Sequence, residues 1–374
     1  MLKSQIRLFY FLFIGVIGCL AACRKDVAPL DSEEFNFTSG LYLLNEGNMS
    51  MNKASLDFYD LNSGIYERNV FKRANPDVVL GLGDVGNDVQ LYGNKLYVVV
   101  NASNKVEVLD ATTAKRIKQI DIINCRYITF DGNNAYVSSY NNQIGLDSNS
   151  PYGKVVELDT ATLSITRTVT VGRQPDGLAV ANNKLYVANS GGYNPNAYEH
   201  TVSVIDLATF KEIKRIDVEI NLDKLKADNN GNIWVTSRGD YLGNHSNFFL
   251  ISSRTDEVMH VFNEPVSNFW IDNDNIFIYS TAWNQQTQQN TIVYQLFNRA
   301  DLNQHTSYIT DGSEANIAIP YGIAVDPVSK DIYLTDAKNY VSPGTLYRYN
   351  TQGKLITTFI TGDIPAHMVF LGRD

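Results

Sequence analysis

A short apolar segment with an aromatic residue near its start recurs seven times along this chain. The seven aromatic residues are Tyr42, Tyr97, Tyr136, Tyr186, Trp234, Phe277 and Tyr333, spaced 39 to 56 positions apart. A repeat of this length is typical of β-propeller blades, each of which is a four-stranded antiparallel sheet. The repeat therefore predicts an all-β protein that folds as a seven-bladed β-propeller.

One blade can be followed strand by strand from residue 174 to residue 216. Segments 176–180 and 184–189 are apolar and are separated by a tight Asn182-Asn183 turn. Segment 201–206 alternates with a period of two, which indicates a half-buried strand, and 212–218 is polar and ends the unit. We therefore expect four antiparallel strands in each blade.

The two ends of the chain predict how the ring closes. The first aromatic segment, at Tyr42, has no first strand before it, whereas residues 364–370 follow the seventh blade and match the first strand at 175–180. We expect the C-terminal strand to complete blade one, because closure removes the exposed sheet edges that would otherwise pair with other chains.

The first residues are typical of a targeting segment. Lys3 and Arg7 precede an apolar run over 8–20 that is too short to span a membrane, and Leu20-Ala21-Ala22 leads directly to Cys23. This resembles a bacterial lipoprotein signal. The sequence predicts a signal peptide at 1–22, a Cys23-lipidated N-terminus with a flexible tether at 23–38, and the propeller at 39–374. The expected location is the outer membrane, by lipid anchor and facing the cell exterior.

The charge balance argues against one class of function, and the cysteine positions predict one unpaired thiol. Lys and Arg number 31 against 40 Asp and Glu, a net charge of −9, which becomes −11 once Lys3 and Arg7 leave with residues 1–22. This balance argues against nucleic-acid binding, which needs a cationic surface. Cys19 leaves with the signal and Cys23 is modified, so Cys125 is predicted to be an unpaired thiol in the core.

Loop lengths predict one functional face. The long connections, at 140–152, 190–200, 238–247, 281–290 and 337–344, all join second strands to third strands. Strand direction places them at one end of the central channel and the tight turns at the other. Long loops in a compact domain usually carry function.

Aligned blades predict two polar rings and several aromatic side chains at that end. The ring before each first strand is Asn87, Arg126, Asp176, Asp223, Ser267, Tyr321 and Ala366; the ring after each second strand is Asn45, Val100, Ser139, Asn189, Ser237, Ser280 and Asp336. The loops add Tyr140, Tyr193, Tyr198, Tyr241, Trp283 and Tyr340. Aromatic faces beside amide groups suit a large, flat, amphipathic ligand, and equally a sugar or a protein partner.

Catalytic signatures are weak. The sequence has no Gly-x-Ser-x-Gly elbow, phosphate-binding loop or dinucleotide fingerprint, and its histidines lack metal-ligand spacing. Asp176, Asp223, Asp336 and Glu46 carry oxygen ligands for calcium, as in propeller lactonases, but Arg126 lies among them. We expect a non-enzymatic binding protein without cofactor or metal. The alternatives are a surface module for glycans or proteins and a calcium-dependent hydrolase or lyase.

Two resemblances refine this expectation. Tyr186-Val187-Ala188-Asn189, followed by the segment 201–206, resembles the YVTN-type repeat family, and similar third strands end at Asp60, Asp110 and Asp159. Segments 43–48, 54–56, 81–84, 180–192 and 349–355 resemble the surface lipoproteins that capture cobalamin for a TonB-dependent outer-membrane transporter. Those proteins are seven-bladed propellers that bind cobalamin on one face.

The second resemblance implies a cobalamin site across the channel mouth of this chain. Combined with the rings and the loops, it predicts the ligand-binding residues Asn45, Glu46, Asn87, Arg126, Tyr140, Asp176, Asn189, Tyr193, Asp223, Arg238, Tyr241, Trp283, Tyr321, Asp336 and Tyr340. Tyr193, Tyr241, Trp283 and Tyr340 would pack on the corrin, and the amide and charged residues would meet its rim.

Overall fold

The computed structural model describes residues 37–373, with the exception of 263, 285 and 287. The predicted signal peptide, the lipidated Cys23 and most of the tether lie outside the described residues. Seven four-stranded antiparallel sheets follow one another around a ring, so the chain is a seven-bladed β-propeller, as predicted.

The strands and the short helix have the following bounds. Blade one contains β1 (Phe37–Asn45), β2 (Ser55–Asp60) and β3 (Tyr66–Glu67), and helix α1 (Val70–Ala74) leads to blade two. Blade two contains β4 (Gly86–Tyr92), β5 (Lys95–Val100), β6 (Lys105–Asp110) and β7 (Arg116–Asp121). Blade three contains β8 (Cys125–Asp131), β9 (Asn134–Ser139), β10 (Lys154–Asp159) and β11 (Ser164–Thr170). Blade four contains β12 (Pro175–Ala181), β13 (Lys184–Asn189), β14 (Thr201–Asp206) and β15 (Lys211–Asp217).

Blades five to seven continue the same order. Blade five contains β16 (Leu222–Ala227), β17 (Asn232–Ser237), β18 (Asn247–Ser252) and β19 (Glu257–Phe262). Blade six contains β20 (Asn268–Asp272), β21 (Asn275–Asn284), β22 (Gln289–Asn298) and β23 (Asp301–Ser307). After a 3-10 turn (Ser313–Asn316), blade seven contains β24 (Pro320–Val325), β25 (Ile332–Asp336), β26 (Pro343–Tyr349) and β27 (Leu355–Asp363), and β28 (Pro365–Arg373) returns to blade one.

The last strand closes the ring, which confirms the sequence prediction. β28 pairs antiparallel with β1, with Met368 opposite Leu43 and Phe370 opposite Leu41, and the strand order of blade one is β28-β1-β2-β3. Met368 and Phe370 are buried in a cluster shared with Tyr333 of blade seven. The C-terminus is therefore both the first strand of blade one and part of the core between the first and last blades.

The repeated aromatic residue packs between blades. Apolar clusters join each blade to the next, and each of the seven aromatic residues lies in the cluster that its blade shares with the following one. Full burial of such a side chain stabilises the fold by about 1.5–3 kcal/mol. The repeat exists because every blade must bury the same large side chain against its neighbour.

Two of these tyrosines allow a matched test of what their hydroxyl groups contribute. The Tyr42 hydroxyl donates to the Ala111 carbonyl of blade two at 2.8 Å, whereas the equally buried Tyr97 hydroxyl has no hydrogen-bond partner among the described residues. We expect Tyr42→Phe to lower the free energy of unfolding by about 1 kcal/mol, and Tyr97→Phe to leave it unchanged or raise it, since it removes an unpaired polar group. Urea denaturation of both variants measures this, and equal losses would contradict the assignment.

One predicted loop is wrong. Residues 281–290 were expected to form a long connection, but β21 and β22 continue as a paired hairpin, with Thr281 opposite Ile292 and Trp283 opposite Asn290. The β-branched residues Thr281, Thr291 and Ile292 favour this extended ladder. Blade six therefore presents a hairpin at the channel mouth, where blades three, four, five and seven present loops.

Candidate functional site

β-Bulges at the start of the innermost strands build the channel mouth. In blades three, four, five and seven, two residues of the first strand lie opposite one residue of the second, because the register shifts between, for example, Cys125 and Ile128. The two residues that lie opposite a single partner are Arg126 and Tyr127, Asp176 and Gly177, Asp223 and Lys224, and Tyr321 and Gly322 in these four blades. Bulges commonly re-aim side chains beside functional sites. Here they bring two consecutive positions of one strand toward the mouth.

Hydroxyl groups on the second strands hold these bulges. Ser138 accepts a hydrogen bond from the Tyr127 amide (3.1 Å) and donates to the Asp176 carbonyl of the next blade (2.8 Å). Thr335 does the same between the Gly322 amide (2.7 Å) and the Pro365 carbonyl (2.6 Å). The mouth is therefore held both within blades and between them.

A buried chain of ion pairs forms the floor of the mouth. The Asp176 carboxylate accepts from Arg126 Nε at 2.9 Å and from Arg238 Nη1 at 2.8 Å, and Arg238 also contacts Asp223 at 2.6 Å. Lys224 lies 3.3 Å from the other oxygen of Asp223. The sequence predicted four of these five residues separately, and the structure brings them together from blades three, four and five.

The floor stays charged at physiological pH. Burial on its own would raise the pKa of the Asp176 carboxyl, but Arg238 and Arg126 outweigh it and lower the pKa to about 2. Burial also raises the pKa of the Tyr140 hydroxyl, so this group remains protonated and donates to Asp176 at 2.8 Å. Asp176 is thus an anion whose two oxygens accept from two guanidinium groups and one phenol.

Aromatic side chains line the side of the floor toward blades three and four. The Arg126 guanidinium lies 5.1 Å from the centre of the Tyr140 ring, and the Tyr193 ring meets Tyr140 edge-on at 5.1 Å. The Tyr193 hydroxyl accepts from Asn124 at 3.2 Å. The loops that carry Tyr140 and Tyr193 are also joined through their backbones, from the Asp147 amide to the Tyr193 carbonyl. These contacts hold the Tyr140 and Tyr193 side chains in place in the protein without a ligand.

A second group of predicted residues meets on the opposite side of the mouth. The Tyr321 hydroxyl donates to Glu46 at 2.9 Å, and the Tyr340 ring lies edge-on to Tyr321 at 5.8 Å. The other Glu46 oxygen lies 3.4 Å from His367 Nε2. Asn87 lies between the two groups and donates to the Arg126 carbonyl at 2.6 Å.

Three predicted residues are buried inside blades instead. Asn45 donates to Ser55, and Asn189 donates to Thr201 and Ser203, each within its own blade. The Asp336 carboxylate accepts from the amides of Ala318, Ile319 and Lys338 and so holds two connections of blade seven. The structure does not bring these side chains to the floor of the mouth.

Exposed aromatic side chains rim the mouth. Tyr241 is 74% exposed, Trp283 62% and Tyr340 43%. Their neighbours on the same face include further exposed apolar residues, namely Met49, Met51, Val79, Leu80, Leu146, Tyr152, Leu242 and Val341. Among the described turns of the opposite face, large exposed apolar side chains are confined to Ile65 and Val328. The loop face is the apolar end of this propeller.

The sequence reasoning missed Tyr127, Lys224 and His367. Tyr127 and Lys224 each follow a predicted ring residue directly, and strict alternation would place such a neighbour on the other side of the strand. His367 follows Ala366, where β28 carries the corresponding bulge. A search for two consecutive polar or aromatic residues at each first strand would have found Arg126-Tyr127 and Asp223-Lys224.

Among the described residues, no group of three or more His, Cys, Asp or Glu side chains is arranged to hold a metal ion. No helix within those residues has the length and hydropathy needed to cross a membrane. Cys125 is fully buried, as predicted, and burial raises the pKa of its thiol to about 12.

The fold and the mouth define a seven-bladed β-propeller with a polar, ion-paired floor and an aromatic rim. The model of the family described as "Domain of unknown function (DUF5074)" matches residues 39–371, and the chain belongs to this family. No curated protein matches the sequence.

Solved structures show the same fold at low sequence identity. The chain is similar to "Kuenenia stuttgartiensis Hydrazine Synthase", with 16% identity and a TM-score of 0.58 over 75% of this chain and 88% of that one. It is also similar to the computationally designed Ika8 protein, with 11% identity and a TM-score of 0.54 over 87% and 89% of the two chains. These similarities concern the fold alone.

Proposed function

We propose that this protein is a non-enzymatic cell-surface lipoprotein that captures cobalamin, or a related corrinoid, on the loop face of its propeller. In this proposal Cys23 carries the lipid anchor in the outer membrane. The ligand passes from the mouth to a TonB-dependent outer-membrane transporter. The protein itself needs no cofactor, metal or catalytic residue.

The observation that carries the proposal is the pairing of a rigid polar floor with an exposed aromatic rim. Arg126, Asp176 and Arg238 are locked by ion pairs, so the floor needs little reordering when a ligand binds. Tyr241 and Trp283 instead hold large apolar areas in solvent, which a ligand would cover. A corrin suits this arrangement, because the macrocycle has apolar faces and carries amide groups around its edge.

The transfer step is supported by the same face. Met49, Met51, Val79 and Leu80 are exposed beside the rim, outside the floor. A contiguous exposed apolar surface commonly marks a protein interface. A transporter that docks over the loop face would cover these residues and receive the ligand directly.

Titration of the full chain with cyanocobalamin tests the proposal. We expect binding heat in calorimetry, together with a change in the visible spectrum of the ligand. Trp283→Ala should weaken binding by about 2 kcal/mol, or about thirty-fold in Kd, because it removes an aromatic contact from the rim. The matched control is Met259→Ala, since Met259 is 60% exposed on an outer strand, close to the 62% of Trp283.

The outcomes separate the candidate functions. Absence of both heat and spectral change would reject cobalamin as the ligand. Binding on a glycan array without cobalamin binding would select the glycan module, which the exposed Tyr241 and Trp283 also suit. Equal losses in Trp283→Ala and Met259→Ala would place the ligand away from the rim.

A further inference from the structure

Below the ion-paired floor, the central channel contains a cavity of about 410 Å³. Its lining comes from the innermost strands, and its charged or titratable members are Asp88, Tyr127, Lys224, Lys226 and His367. The rest of the lining is uncharged. The proposal for the mouth uses none of the space in this cavity.

Lys226 is a charged residue at a level of the channel where the other six blades have uncharged residues. In every blade one residue of the first strand is paired with the repeat aromatic of the second strand, and Lys226 is the residue paired with Trp234. The six equivalent positions are Gln90, Thr129, Ala179, Trp270, Ala324 and Val369. All six are uncharged. The fold therefore has no need of a cation at this level, yet one is present.

The Lys226 ammonium has no carboxylate partner within ion-pair distance among the described residues. It donates to the Phe269 carbonyl at 3.2 Å and lies 4.3 Å from the centre of the Trp270 ring. The nearest acidic group of the lining, Asp88, is occupied by the amides of Val89 (2.8 Å) and Ile128 (3.0 Å). Lys226 is partly buried, and a cation that is partly removed from water is destabilised unless it is paired. Its missing partner is an anion.

We infer that this channel cavity is a binding site for a small oxyanion, a carboxylate, sulfate or phosphate group, held by Lys226 with Lys224 beside it. The two ammonium groups supply charge and hydrogen-bond donors, and Trp270 and Ile271 form an apolar side of the site. The site adjoins the floor of the mouth, because Lys224 both contacts Asp223 and lines the cavity.

The state of Lys226 without an anion supports this assignment. Burial and the neighbouring charge of Lys224 lower the pKa of Lys226 to about 8, against a weaker opposing effect of Asp88. A bound anion favours the protonated amine and raises this pKa. Anion binding must therefore weaken as pH rises through about 8, where the free lysine loses its proton.

Burial on its own would lower the pKa of Lys224, but the charge of Asp223 opposes this and the pKa is raised, so Lys224 stays cationic near pH 8. Burial raises the pKa of the Asp88 carboxyl on β4 and that of the Tyr127 hydroxyl on β8. His367 lies on β28. A transition near pH 8 that disappears on substitution of Lys226 thus reports Lys226.

Sulfate is the probe for the test, because its charge is constant from pH 7 to pH 10. Titration of the full chain at low ionic strength should show saturable binding that is at least tenfold weaker in Lys226→Met. The matched control is Lys118→Met, since Lys118 also donates to a single backbone carbonyl at 3.2 Å but lies on the exposed strand β7. Wild-type affinity is expected in that control.

The outcomes decide the inference. Equal sulfate affinity in Lys226→Met and wild type overturns it, as does an equal loss in Lys118→Met, which would indicate non-specific surface binding. If Lys226→Met fails to fold, NMR of lysine-labelled wild-type protein replaces it, and a Lys226 pKa that sulfate does not raise overturns the inference. Competition between sulfate and cyanocobalamin separates a free anion from the phosphate of a ligand that reaches down from the mouth.

Discussion

Truncation of the chain after Asp363 is expected to abolish the cooperatively folded monomer. The shortened protein loses all of β28, so β1 becomes an unpaired edge and blade one has three strands. Met368 and Phe370 leave the cluster between blades seven and one. Loss of a buried Met and a buried Phe costs about 2–5 and 3–5 kcal/mol, which together approach the 5–15 kcal/mol of total stability of a typical domain.

Thermal unfolding followed by circular dichroism, with size-exclusion chromatography, measures this effect. We expect loss of the sharp transition and formation of aggregates, because an open sheet edge pairs with other chains. The control is Phe370→Ala in the full chain, which keeps the strand pairing and should unfold cooperatively at a lower temperature. A peptide of residues 364–374 added in trans should restore part of the transition. An unchanged melting temperature in the truncated protein would show that closure by β28 does not stabilise the ring.

Substitution of Asp176 by Ala should produce the largest loss from any single residue of the mouth. Arg126 and Arg238 would then face each other without the anion that both contact. Removal of one partner from a buried ion pair costs about 3–5 kcal/mol, because a charge is left buried and unpaired. We expect a loss of this size in the free energy of unfolding, measured by urea denaturation, and loss of ligand binding at the mouth.

A double-mutant cycle makes this prediction specific. Arg126→Ala added to Asp176→Ala removes one of the two unpaired cations and should recover part of the stability. The exposed pair His200–Asp217 provides the control, because the Asp217 side chain is 82% exposed and Asp217→Asn should change stability by less than about 0.5 kcal/mol. Additive losses for Asp176 and Arg126 would contradict their coupling.

Acid denaturation gives an independent measure of the same carboxylate. The pKa of Asp176 is lower in the folded protein than its usual value of 3.8, so ionisation of this group stabilises the fold above about pH 4. This contribution is lost as pH falls from about 4 toward 2. Asp176→Asn should remove this part of the pH dependence, and an identical acid transition in wild type and variant would show that Asp176 does not supply it.

The division of the chain into blades could be predicted from the sequence because the same local pattern occurs in each of the seven blades. Alternation of buried and exposed positions and a large aromatic residue such as Tyr186 on each second strand identify the strands, and the surplus strand at 364–370 identifies closure. The floor was predicted in part for the same reason, since Arg126, Asp176 and Asp223 occupy one aligned position.

The parts of the fold and the site that were not predicted depend on features that the alternation of buried and exposed residues does not encode. A bulge shifts the register by one residue, and Tyr127 and Lys224 face the mouth only because of that shift. The extended hairpin of β21 and β22 depends on cross-strand pairing of a Gln- and Asn-rich segment. Asp336 illustrates the opposite case, in which a polar residue at a ring position is held within its own blade, by three backbone amides and the Lys338 ammonium.

The bulges also give the residues that pack between blades and the residues that line the mouth different positions on the same strand. Residues within the regular ladder, such as Leu178 and Val187, must fit the neighbouring blades, so a change there affects stability. Asp176 and Gly177 stand opposite a single residue and outside that ladder, although Gly177 lies too close to the Asp223 carbonyl for a side chain. The position held by Asp176 lies outside every inter-blade apolar cluster, so its chemistry can change without repacking the blades when its partners Arg126 and Arg238 change with it. One propeller scaffold of this kind can serve a series of ligands through exchange of a few bulge residues, with the blades themselves unaltered.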